Sequence, residues 1–333
     1  MDEKTPKSKL KKIYIEILNG SSLLEGTFFG NLYLKHLDVF DTEEIDEKRD
    51  QFIERATKEG LPTEEVRTKE IIESGDWSTA KDEEVRDLRE YIAGMIRTKS
   101  KLFLRSEINR LDEQIKENQK KIDILISEKL ELVGFTAENY ADKKINDFYI
   151  LYTLYKDKDL KEKHFSESSL DEISDDDLFK ISSFYSQNLK RFKEENLKRI
   201  ALSSFFLNNF YSCKDNPFVF YGKPVVKLTY YQNDLFSFGR YFKHLLSEMK
   251  HQPTPEQLDD PNSLLGSYNI AKNSEKTLSR STEGATTIVG ATKEDLKAMG
   301  ISENKGEVVD LVKEASKKGG TLSMQDLMKL HGF

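Results

Sequence analysis

Apolar positions along this chain of 333 residues fall into a helical rhythm most clearly between Lys81 and Val133. Leu104, Ile108, Leu111, Ile115, Asn118, Ile122, Leu125, Lys129 and Leu132 follow one another at alternating steps of four and three. That is the spacing of a heptad seam. Upstream, Val85, Leu88, Ile92 and Met95 keep the same rhythm in another phase. The two registers do not join, so a stutter or bend is expected between Arg97 and Leu104. Residues 81–133 contain no proline and a single glycine, Gly94. The pattern therefore predicts a long central helix or a helical hairpin over 81–133. A straight helix of that length would run roughly 75–80 Å. Its stripe needs a mate, either another part of this chain or another protein. One seam position is polar. Asn118 is either solvated where packing ends, or buried, fixing register and partner number at some cost in stability.

The flanking regions read differently. In 1–80 the first dozen residues are basic and expected to fray. Ile13–Leu18 alternates as a strand does, "NGSSLLEG" is turn-rich, and Thr27–Leu37 reads as a second strand. A β-hairpin followed by short helices is expected, with Thr42 and Thr63 as caps and Gly60 and Gly75 as stops. Region 134–250 is aromatic-rich and is expected to form an α+β region packed with the N-terminal part. Thr136 caps a helix from Ala137 to Tyr155. Leu189, Phe192, Leu197, Ile200, Phe205 and Phe206 mark a buried side. Gly222-Lys223-Pro224 reads as a turn between strands Phe218–Tyr221 and Val225–Tyr231. Residues 251–290 are rich in Pro, Ser, Thr, Asn and Gly and read as a flexible linker. Short helical segments fill 291–333, with Met324, Leu327 and Met328 on one side. The fold class predicted is mainly α with small β elements (α+β).

Composition narrows the function. Hydrophobic residues make up 37% and charged residues 33%, which suits a modest core with long solvated helices. A net charge of −7 does not draw the chain as a whole to nucleic acid or an anionic membrane. The single cysteine, Cys213, makes no intrachain disulfide and no Cys-based zinc site, and a cytosolic setting fits best. The N-terminus does not read as a signal peptide, and no run approaches the roughly 18 apolar residues of a membrane span. His36, His164, His244, His251 and His331 show no metal spacing, so no metal or other cofactor is expected. Phosphate-loop, dinucleotide and serine-elbow patterns are missing as well. The acidic run Asp171, Glu172, Asp175, Asp176 and Asp177 lacks the glycine and terminal glutamate of a calcium loop and reads as a helix start. Aromatic and basic residues interleave in 184–242, as in "KLTYYQ" and "FGRYFKH". Core packing accounts for these rings more simply than base stacking does, though a single-stranded nucleic-acid-binding module is the alternative function.

Four stretches in this order carry a resemblance: "GTFFGNLYLKHL", "LPTEE…ESGDWS", the long charged helix, and "NPFVFYGKPVVKLTYYQNDLFSFGRYFKHLL". Over roughly residues 10–250 the chain resembles proteins encoded among the structural genes of tailed bacteriophages, namely tail or head assembly factors and minor virion components. The resemblance implies a non-enzymatic structural or assembly protein in the host cytoplasm or virion. Its partners would be other virion or assembly proteins, or further copies of itself, with no membrane and no small-molecule substrate. No functional residues come with the likeness. The contacts are expected from the seam residues Leu104, Ile108, Leu111, Ile115, Asn118, Ile122 and Leu125, and from Met324, Leu327 and Met328.

Overall fold

The computed structural model describes residues 5–166, 172–249 and 253–280, with side chains as far as 273. The fold is mainly α with one small antiparallel sheet of three strands. It divides into two compact units, 1–81 with 126–264, and 82–125 with 265–333. The reading of 291–333 as short helices, and the contact residues Met324, Leu327 and Met328, lie outside the described residues.

The first unit opens with helix α1 (Lys7–Asn19), where fraying and then a strand were expected. A six-residue alternating run fits both periods. Leu10, three positions before Ile13, decides for the helix. Leu10, Ile13, Tyr14 and Ile17 are buried along one face, while Ile15 is 56% exposed. Gly20 takes φ +72 and ends the helix, a conformation that costs glycine nothing. The hairpin then comes one element later than the pattern placed it. Strands β1 (Ser21–Thr27) and β2 (Gly30–Lys35) pair antiparallel, and β3 (Leu154–Tyr155) adds to β2. "SSLLEG" is therefore strand rather than turn. Leu24, Leu32, Leu34 and Leu154 pack with Leu151, Ile181 and Tyr185.

Helix α2 (Val39–Lys58) starts at Asp38, not Thr42. Asp38 and Asp41 form a reciprocal capping box that satisfies the first free N–H groups. Thr63 caps α3 (Glu64–Glu73), and Thr136 with Asn139 caps α6 (Ala137–Tyr152), as their sequence grammar predicts. Leu37, Ile45 and Phe52 pack with Ala141, Phe148 and Tyr152. Ser174 caps the next helix, α7 (Asp175–Leu189), with three aspartates in its first turn. Asp175, Asp176 and Asp177 of the acidic run thus stand at a helix start.

Helices α8 (Glu194–Ala201), α9 (Ser204–Ser212) and α11 (Tyr230–Glu248) hold the aromatic core. Phe206, Phe210, Leu235 and Phe242 are fully buried. The expected strands at 218–231 are absent. Phe218–Tyr221 lies within α10 (Pro217–Tyr221), Val225–Lys227 is a single 3-10 turn, and α11 begins at Tyr230. Helix-start grammar overrides β propensity here. Pro217 sits in the first turn, and the Asn216 side chain accepts from the N–H groups of Phe218 and Val219.

Over 81–133, α4 (Thr79–Lys99) and α5 (Arg105–Val133) replace a single rod. The phase slip in the sequence is a true break at 100–104. Helix α13 (Pro261–Arg280), preceded by the single turn α12 (Pro255–Leu258), occupies half of what composition marked as linker at 251–290. Apolar anchors outweigh the polar composition there, with Leu264 and Ile270 both buried. The remainder of the linker reading, from 281 on, is outside the described residues. Among the described residues no helix is long and apolar enough to cross a membrane.

Candidate contact surface

The seam on α5 lies on the less exposed side of that helix. Leu104 and Ile122 are buried, at 3% and 1% exposure, and Ile108, Leu111, Ile115, Asn118 and Leu125 are half-buried. The α4 stripe behaves alike, with Ile92 and Met95 buried and Val85 and Leu88 half-buried. At the break between the helices, Asn273 of α13 donates its side-chain amide to the carbonyls of Ser100 (3.1 Å) and Leu102 (2.9 Å). These are carbonyls left without helical partners where α4 ends. Lys99 pairs with Asp112 across the same turn. The seam is therefore buried at Leu104 and Ile122 and half-buried along its middle. Asn118 donates to the carbonyl of Gln114 at 2.8 Å, so its amide is satisfied by its own helix.

Several polar side chains among the described residues take part in structural contacts. Ser22 Oγ and His36 Nε2 stand 2.7 Å apart, the separation of a nucleophile and its base. Yet Ser22 is 1% exposed and His36 2%, and no carboxylate orients the ring. His36 is walled by Phe192 and Tyr231, with ring centroids at 4.8 and 5.1 Å. Burial, with the nearby Arg191 charge second, pulls its pKa down to about 3. Arg191 pairs with Glu16 at 2.9 Å. Gln232, fully buried, donates to the carbonyl of Ile17 at 2.8 Å, satisfying the end of α1. The Tyr152 hydroxyl donates to Asp41 (3.0 Å) and Glu44 (2.7 Å), and Lys35 also pairs with Asp41. Burial, reinforced by those carboxylates, holds the Tyr152 phenol protonated far above its usual range. Cys213 is buried and donates its thiol to the carbonyl of Phe210. Among the described residues no group of His, Cys, Asp and Glu side chains could hold a metal ion.

No protein-family model, curated protein or solved structure matches this chain. The surface itself is then the guide. Most rings of 184–242 are spent on one another. Phe206 stacks on Phe210 at 5.2 Å, Phe192 on Tyr231 at 4.7 Å, and Phe236 meets Phe210 at 5.1 Å. A base could stack only on the exposed few, Tyr211, Phe218, Tyr230 and Tyr241. Periodicity missed a second set of surface positions. Phe218, Val219, Val225, Val226 and Tyr230 are 47–62% exposed, as are Val39 and Phe40. For Phe218, Val219, Val225 and Val226 the signal in the sequence was apolar residues crowded into short turns that begin at Pro217 and Pro224, which cannot bury them.

Proposed function

We propose that this chain is a non-enzymatic structural or assembly protein that works through helical protein–protein contacts. One observation carries the reading. The α5 seam keeps a run of three apolar residues, Ile108, Leu111 and Ile115, that are only half-buried. Covering it with a partner helix removes apolar surface from water. Each large aliphatic side chain fully buried contributes about 1.5–3 kcal/mol before ordering costs. Asn118 biases the register of that pairing, because the rest of its polar side chain is costly opposite an apolar residue of the mate. The setting we propose is virion assembly in a host cytoplasm, which is what the resemblance of residues 10–250 to tailed-phage assembly proteins would imply. Enclosure of the Ser22–His36 pair supports the non-enzymatic part of the reading.

Replacing Leu111→Asp with Ile115→Asp tests it. Both positions are half-buried, so the first unit keeps its circular dichroism and unfolding transition. Capture of the partner from the native host extract is lost. Full-strength capture by the double variant contradicts the reading.

A further inference from the structure

Seven exposed apolar residues of the first unit fall in two stretches of opposite charge that meet at Tyr230. The first half is the turn at 216–232. It carries Phe218, Val219, Val225 and Val226, together with Lys223 and Lys227, and contains no acidic residue. A chain with 59 acids in 333 residues would place about three in a run of that length. Lys227 is exposed and has no ion-pair partner among the described residues. The second half is the start of α2. Val39 and Phe40 are 52% and 53% exposed, and the exposed Glu43 and Glu47 follow them along the same helix face. Neither glutamate has an ion-pair partner among the described residues.

Two hydrogen bonds join the halves. The backbone N–H of Tyr230 donates to the carbonyl of Leu37 at 3.0 Å, and the Tyr230 hydroxyl bonds to Thr42 Oγ1 at 2.7 Å. Helix α11 thereby starts against the start of α2, and Tyr230, itself 47% exposed, sits at the junction.

We propose that this patch is a homodimer interface with two-fold symmetry. A two-fold contact brings the same surface of both copies together, so a residue of one half meets the other half of its mate. A patch with one basic-apolar half and one acidic-apolar half is complementary to itself under that operation. Lys227 of each copy then faces Glu43 of the other, and the valines and Phe40 close over Tyr230. An anionic lipid surface is the poorer fit, because Glu43 and Glu47 would be pressed against like charge. The inference rests on different residues from the α5 seam.

Sedimentation velocity on the full chain tests it, run in parallel on wild type and on the Leu111→Asp/Ile115→Asp variant. Wild type and the seam variant both dimerise. Val225→Asp/Val226→Asp is monomeric, with its unfolding transition retained because both sites are exposed. Lys227→Glu weakens the dimer about tenfold, and adding Glu43→Lys restores it. A wild type that is monomeric throughout overturns the inference. So does a dimer lost in the seam variant but unchanged in Val225→Asp/Val226→Asp, which would assign self-association to α5. Failure of Glu43→Lys to rescue overturns the facing of the two halves.

Discussion

His36 shows how a polar residue can mimic chemistry while serving the fold. Its ring stands at hydrogen-bond distance from Ser22, and both groups are buried with the ring packed against Phe192 and Tyr231. The sign of its titration follows. Folded, the imidazole stays neutral down to about pH 3, while in the unfolded chain it takes up a proton near 6.5. Between those values the unfolded state binds more protons, so stability rises with pH. The contribution is complete above about 6.5 and is lost as pH falls toward 3. Urea unfolding measured at steps across this window should show the loss, and His36→Asn should flatten the pH slope. An equal slope in the variant would assign acid sensitivity to other groups.

At the level of elements, the meeting of α9 and α11 is decided by a glycine. A Cβ built on Gly239 would stand 2.8 Å from atoms of Phe206 and Phe210, two rings already stacked on each other. Gly239→Ala gains about 1 kcal/mol of helix propensity. Overpacking costs about 1–3 kcal/mol and wins, because neither ring has room to turn. Thermal unfolding should show a net loss of up to about 2 kcal/mol; a stabilised variant would mean that the helices can part. Nothing in the sequence marks Gly239 as a contact, since the crowding comes from a helix twenty-seven or more residues away. Caps were more legible. Thr63, Thr136 and the Ser174 helix start are local devices, readable within four residues. The errors arose where two local signals competed. Alternation in Ile13–Leu18 lost to the 3.6-residue face running from Leu10 to Ile17. The β-formers of 218–231 lost to the caps at Asn216 and Thr229. The polar composition of 261–280 concealed a helix whose few apolar residues are its anchors.

Across the whole molecule, the sequence gives up its division only in part. The heptad phase slip between Arg97 and Leu104 located the break between α4 and α5, because a change of register is a local property of the pattern. That 82–125 would group with 265–333 was not legible, since the bonds that Asn273 makes to Ser100 and Leu102 span some 170 residues. The seam residues could be named in advance, but how far the chain itself covers them could not. That partial cover is what makes the contact account testable at a single position. The most direct measurement places a photo-crosslinking amino acid at Leu111, on the half-buried middle of the seam, and for comparison at Glu113, on the exposed side of the same helix. After irradiation in the native host extract, the account predicts a discrete protein adduct at Leu111 and none at Glu113. No adduct at Leu111, or the same set of adducts at both positions, would contradict it.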